Sequence, residues 1–117
     1  MRKHEKFKIL GREKNQRTAL VRSLMRSLVI HGGITTTETK AKELRKYIEP
    51  LVTKAKNSTL ANRRLLVSAM GDEKAVKKLV DVIAPEYKTR PGGYTRVVKL
   101  PLRKTDGAKM AHIQFVK

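Results

Sequence analysis

Positive charge, and its uneven distribution along the chain, constrains this protein more than any other feature. Lysine and arginine number 28 against 10 aspartates and glutamates, a net charge of +18 on 117 residues. Like charges at that density repel one another and weaken a compact state, so the excess implies a polyanionic partner. The charge is also uneven. Residues 1–26 carry a net +7, residues 38–64 a net +5 and residues 88–109 a net +6, whereas residues 71–87 come to −1. One helix-sized segment is thus neutral and expected to face solvent or protein, while the basic segments are expected to converge on nucleic acid.

The chain is nonetheless built to fold. Hydrophobic residues make up 39%, enough for a modest core, and the length suits one domain. Cysteine is absent, which excludes a disulfide frame, a thiolate nucleophile and Cys-ligated zinc. The longest run without a charged side chain, Ser27 to Thr37, is 11 residues, too short to span a bilayer. The start, MRKHEKFKILGREK, has no apolar signal core, and Glu5 and Glu13 argue against a transit peptide, so a cytoplasmic location is expected.

Residues 1–14 show no helical period and read as a basic N-terminal arm that orders on its partner, leaving residues 15–117 as a single domain. From Gln16 to His31, Leu20, Val21, Leu24, Met25, Leu28 and Val29 recur as one face of an amphipathic helix, and Gly32-Gly33 stops it. The β-branched run Ile34 to Thr37 reads as a short strand, with Thr35 or Thr37 available to cap the next helix. That second helix, Glu38 to Lys56, faces inward through Ala41, Leu44, Ile48, Leu51, Val52 and Ala55, and Pro50 should kink or break it. Asn57-Ser58 starts a third helix with Leu60, Leu65, Leu66 and Ala69 as its apolar residues, and Gly71 ends it. Asp72 caps a fourth, carrying Val76, Leu79, Val80 and Ile83 and closing at Ala84-Pro85.

Two alternating segments remain, Tyr94 to Leu100 and Met110 to Val116, joined by a basic connection with an Asp106-Gly107 turn. Such strands pair antiparallel, with the Ile34–Thr37 strand at one edge. The expected fold is a two-layer α+β domain in the order α-β-α-α-α-β-β, with a small mixed sheet packed on helices.

No catalytic constellation emerges. His4, His31 and His112 fall on the arm, a helix end and a strand, none at metal-ligand spacing from another ligand. Glu38, Glu43 and Glu49 lie in a helix rich in lysine and arginine, where ion pairing accounts for them. The segment RPGGYTRVVK (90–99) has neither dinucleotide nor P-loop spacing, and a strand follows its glycines. It is either a turn with Tyr94 in the core, or a loop whose Arg90, Arg96 and Lys99 supply charge while Tyr94 stacks on a base. Aromatic residues are only five, too few for a single-strand binder that stacks bases on strands, so phosphate and sugar contacts to folded RNA are favoured. A helix-turn-helix over residues 38–70 lacks a recognition-helix pattern.

Four stretches carry a specific resemblance: SLVIHGGITTTETKAKELRKYIEPLVTKAK (27–56), ANRRL (61–65), GGYTRVVKLPLR (92–103) and AKMAHIQFVK (108–117). With them the chain resembles, from its first residue to its last, the bacterial-type large-subunit ribosomal protein numbered seventeen. The resemblance implies a structural component of the large subunit, bound to its ribosomal RNA and to neighbouring ribosomal proteins near the polypeptide exit tunnel. It implies no catalysis, cofactor, metal, membrane or small-molecule substrate. It maps the family's basic arm onto Arg2, Lys3, Lys6, Lys8 and Arg12, its first-helix arginine onto Arg17, its paired arginines onto Arg63 and Arg64, and its Gly-Gly-Tyr-Thr-Arg signature onto residues 92–96. It also makes the 90–99 segment a turn into a hairpin strand, with Arg96 and Lys99 set for RNA. Lys14, Arg22, Arg26, Lys40, Arg90 and Arg103 complete the expected RNA-binding set.

Overall fold

The computed structural model describes residues 13–116. The chain runs α1 (Lys14–His31), β1 (Gly33–Thr37), α2 (Glu38–Ala55), α3 (Leu60–Met70), α4 (Glu73–Lys78), a π-helical turn (Leu79–Ile83), α5 (Ala84–Glu86), β2 (Thr95–Leu100) and β3 (Met110–Phe115). α1 begins at Lys14 rather than Gln16 and ends on Gly32, whose φ of 78° closes the helix through an N–H donated to the Leu28 carbonyl. The expected α+β order holds, but the sheet is antiparallel throughout rather than mixed. β3 lies between β1 and β2 and runs against both, so the two parallel strands never touch.

The core forms where helical and strand periods meet. Val21, Met25, Leu28 and Val29 of α1 pack with Leu44, Ile48 and Val52 of α2, and the sheet adds Ala111 and Ile113 from alternate positions of β3. Thr37 occupies the N-cap position of α2 but its hydroxyl makes no capping bond. The strand ladder continues instead, with the Glu38 N–H donating to the Lys109 carbonyl at 2.9 Å.

α2 runs through Pro50 without a break. Ile48 on one side of the proline and Leu51, Val52 and Ala55 on the other are all buried, so packing holds the helix across the missing N–H. α3 starts at Leu60, not at Asn57-Ser58, because Thr59 is the cap: its hydroxyl accepts the Asn62 N–H at 3.2 Å. Leu66 and Met70 form its buried face, whereas Leu60 and Leu65 point outward. Asp72 caps α4 as expected, accepting the Lys74 N–H at 3.0 Å. Beyond Lys78 the helix widens into the π turn, which carries Leu79, Val80 and Ile83 all into the core.

Candidate nucleic-acid interface

On α1, Lys14, Thr18, Arg22 and Arg26 recur every four residues and therefore share one face, about 18 Å long at 1.5 Å per residue. With Asn15 and Ala19 they line a shallow groove of about 560 Å³. No carboxylate lines it, and Lys14 and Arg26 have no ion-pair partner among the described residues. The far end of the stripe meets the C-terminus of α3. There the Arg22 guanidinium donates to the Ser68 carbonyl at 3.0 Å, a favourable placement of a cation at a helix C-terminus. Gly71 adopts φ 71° to end α3, and the Arg22 and Arg26 guanidinium groups both lie beside it. Two like charges held side by side with no carboxylate between them form an arrangement suited to phosphate.

The other expected residues distribute over several surfaces. Arg17 sits one step round α1, in a groove with Tyr47 and Leu51 of α2. Lys40 is half-buried on α2. Arg64 is exposed in a groove between α3 and α4, while Arg63 there pairs with Asp81 at 3.2 Å. Both members of that pair are well exposed, so it contributes about 0–1 kcal/mol and yields readily to a phosphate. Arg96 projects from the sheet face opposite the helices. Lys99 reaches toward Glu38 at 3.8 Å. Arg103 is locked into its own turn, with Nε and Nη2 donating to the two Asp106 carboxylate oxygens at 2.9 and 2.6 Å. That guanidinium and the Ala108 N–H hold the Asp106 carboxyl down at about 2. Arg2, Lys3, Lys6, Lys8 and Arg12 lie outside the described residues.

The 90–99 segment resolves as a turn. Arg90 closes it by donating from Nε to the Gly92 carbonyl at 3.1 Å. The Tyr94 ring is buried, edge-on to Tyr87 at 5.2 Å between centroids, and so has no face free for a base. Its hydroxyl accepts from the Lys56 ammonium at 3.0 Å and pairs with the Thr53 hydroxyl, partners that lower its pKa below the ordinary phenol value. Glu49 clips the turn to α2, accepting the Tyr94 N–H at 3.0 Å, the Thr95 N–H at 3.3 Å and the Thr95 hydroxyl at 3.0 Å. Ion pairing accounts for little of Glu49, since Arg45 stands 3.8 Å away. It does account for the other two: Glu38 pairs with Lys42 at 2.8 Å, and the buried Glu43 with Lys46 at 2.9 Å. Sequence reasoning missed Glu49, and also Lys42, Arg45 and Lys46, which border a cleft between α2 and β2. A carboxylate facing the strand side of α2 is the only local signal.

Among the described residues no cluster of histidines and carboxylates could hold a metal ion, and no helix is long and apolar enough to cross a membrane. Fold and surface together define a small, strongly basic α+β protein whose polar surface is organised around cations. The model of the family described as Ribosomal protein L17 matches residues 20–116. The chain is 51% identical over 115 residues to a protein of Rickettsia bellii strain OSU 85-389 named large ribosomal subunit protein bL17, covering 95% of this chain and 81% of the relative. A protein of the same name from Sphingopyxis alaskensis is 52% identical over 107 residues, covering 92% and 77%, and one from Gemmatimonas aurantiaca is 47% identical over 116 residues, covering 99% and 98%. The chain belongs to the ribosomal protein L17 family, a family of structural ribosomal proteins rather than enzymes.

Proposed function

We propose that this protein is a structural constituent of the large ribosomal subunit that holds folded ribosomal RNA against the cationic face of α1, beside the polypeptide exit tunnel and in contact with neighbouring subunit proteins. The observation that carries the reading is the stripe Lys14, Arg22 and Arg26, a run of cations with no carboxylate among the described residues that line it. Family membership and the net charge of +18 support it. In this reading the stripe tracks a phosphate backbone and reads its shape, each neutralised phosphate releasing counterions. Arg64 and Arg96 serve other RNA segments, and the basic arm ahead of α1 reaches between them. The exit-tunnel position and the cytoplasmic, ribosome-bound location rest on the family resemblance.

Sucrose-gradient fractionation of a native lysate with a high-salt wash tests the reading. Stoichiometric co-migration with the large subunit through the wash is expected. A free protein, or one travelling with chromosomal DNA, would overturn it.

A further inference from the structure

We infer that the open edge of β2 is a docking site for a short, extended, acidic segment of another protein, which adds a fourth strand to the sheet. This goes beyond the RNA reading and does not depend on it.

The backbone of β2 sets the geometry. The Val116 N–H donates to the Tyr94 carbonyl and the Phe115 N–H to the Gly32 carbonyl, which fixes the alternation of the two ladders. Gln114, His112 and Met110 direct their backbone groups toward β2, whereas Ile113 and Ala111 direct theirs toward β1. The partners of Ile113 and Ala111 on β2 are Val97 and Lys99, so the N–H and C=O groups of those two residues turn outward from the sheet edge. The Thr95 N–H also faces that way, and Glu49 accepts it. Pro101, just beyond the strand, has no N–H to offer. The free edge is therefore bounded at both ends, leaving room for about five residues of incoming strand.

Side chains indicate the kind of segment. Val97 and Lys99 line a cleft of about 1060 Å³ against α2, with Pro50 exposed within it. Lys42, Arg45, Lys46 and Lys99 stand round it with side chains 48% to 75% exposed. Glu38 and Glu43 answer Lys42 and Lys46 at 2.8 and 2.9 Å. Lys99 stands 3.8 Å from Glu38, and Arg45 stands 3.8 Å from a Glu49 carboxylate already engaged by the 94–95 turn. The small residue of positive charge suits a peptide carrying one or two carboxylates. It does not suit a polynucleotide, for which the α1 stripe offers cations without competing acids. Main-chain bonds to Val97 and Lys99 would supply affinity, and the side chains on the α2-facing side of the added strand, carboxylates set toward the cations, would supply selectivity.

Amide hydrogen exchange on the full-length protein tests the inference. The probes are a short synthetic peptide alternating valine and glutamate, its valine–lysine counterpart, and single-stranded oligouridylate. The glutamate peptide is expected to slow exchange at the Val97 and Lys99 amides by about tenfold or more, the other probes leaving them unchanged. In Val97→Pro, tolerable at an edge where no described residue pairs with the N–H, that protection is lost. Arg45→Glu with Lys99→Glu, which leaves the backbone intact, is expected to transfer it to the lysine peptide. Equal protection by both peptides, protection by oligouridylate, or none from any probe would overturn the inference, the last marking Lys99 as a guard against edge pairing.

Discussion

Glu49 shows what a single side chain does in this protein. Its carboxylate accepts two backbone N–H groups and a hydroxyl from residues that are themselves buried, Tyr94 and Thr95. Replacing it with alanine strands those donors, and Glu49→Ala is expected to lower unfolding free energy by about 2–3 kcal/mol in urea titration. Glu49→Gln, which keeps one acceptor, is expected to lose less than half as much. Equal losses, or none from alanine, would show that the clip is not what holds the turn. A second residue-scale expectation concerns pH. Asp106 has its carboxyl held at about 2, below its ordinary 3.8, by Arg103 and the Ala108 N–H. A carboxyl depressed in the folded state stabilises above its ordinary pKa and stops doing so as pH falls through the folded value. The 103–108 turn is therefore expected to loosen between about pH 4 and about pH 2, with a carboxyl titration midpoint near 2. A midpoint near 3.8 would contradict the pairing. At this scale the sequence was least legible. Spacing marks Glu49 as one more acid among α2 cations, and only tertiary packing brings it under the Tyr94 turn. Tyr94 was open between core and ligand for the same reason.

At the scale of elements, legibility followed periodicity. The inward residues of α1, α2 and β3 were readable because burial repeats at the period of the backbone, and Gly32, Gly71 and Asp72 marked helix ends by their own conformational or hydrogen-bonding chemistry. Two features escaped. The π turn at Leu79–Ile83 shifts the helical period by one residue, which a stripe of Val76, Leu79, Val80 and Ile83 cannot reveal. Pro50 carries a strong local signal to break, and the buried residues on both sides of it outweigh that signal. Its cost persists as a missing N–H to the Lys46 carbonyl and crowding of that turn. Pro50→Ala is accordingly expected to raise stability by about 2 kcal/mol, the helix gain less the freer unfolded chain. Unchanged or lowered stability in denaturant titration would show that the proline fits a distortion α2 requires.

Across the whole molecule, composition announced a polyanion but not the surface that meets it. Segment charges predicted convergence, and the structure divides the cations: some line the α1 groove, some border the α2–β2 cleft beside glutamates, and Arg63 and Arg103 answer carboxylates of their own chain. A sequence gives each residue's charge but not which charges the fold has already paired. RNA is held, in this reading, by the α1 stripe, which has no ion-pair partner among the described residues, rather than by net charge alone. The direct measurement is the salt dependence of affinity for large-subunit ribosomal RNA, comparing two variants that each lose two charges. Lys14→Gln with Arg26→Gln removes stripe cations, while Lys74→Gln with Lys104→Gln removes two exposed cations that belong to none of the surfaces assigned to RNA. The stripe variant is expected to lower the slope of log K against log salt by about 1.5–2, and the control by less than about 0.5. Equal changes in the two would contradict the account, leaving charge without a site.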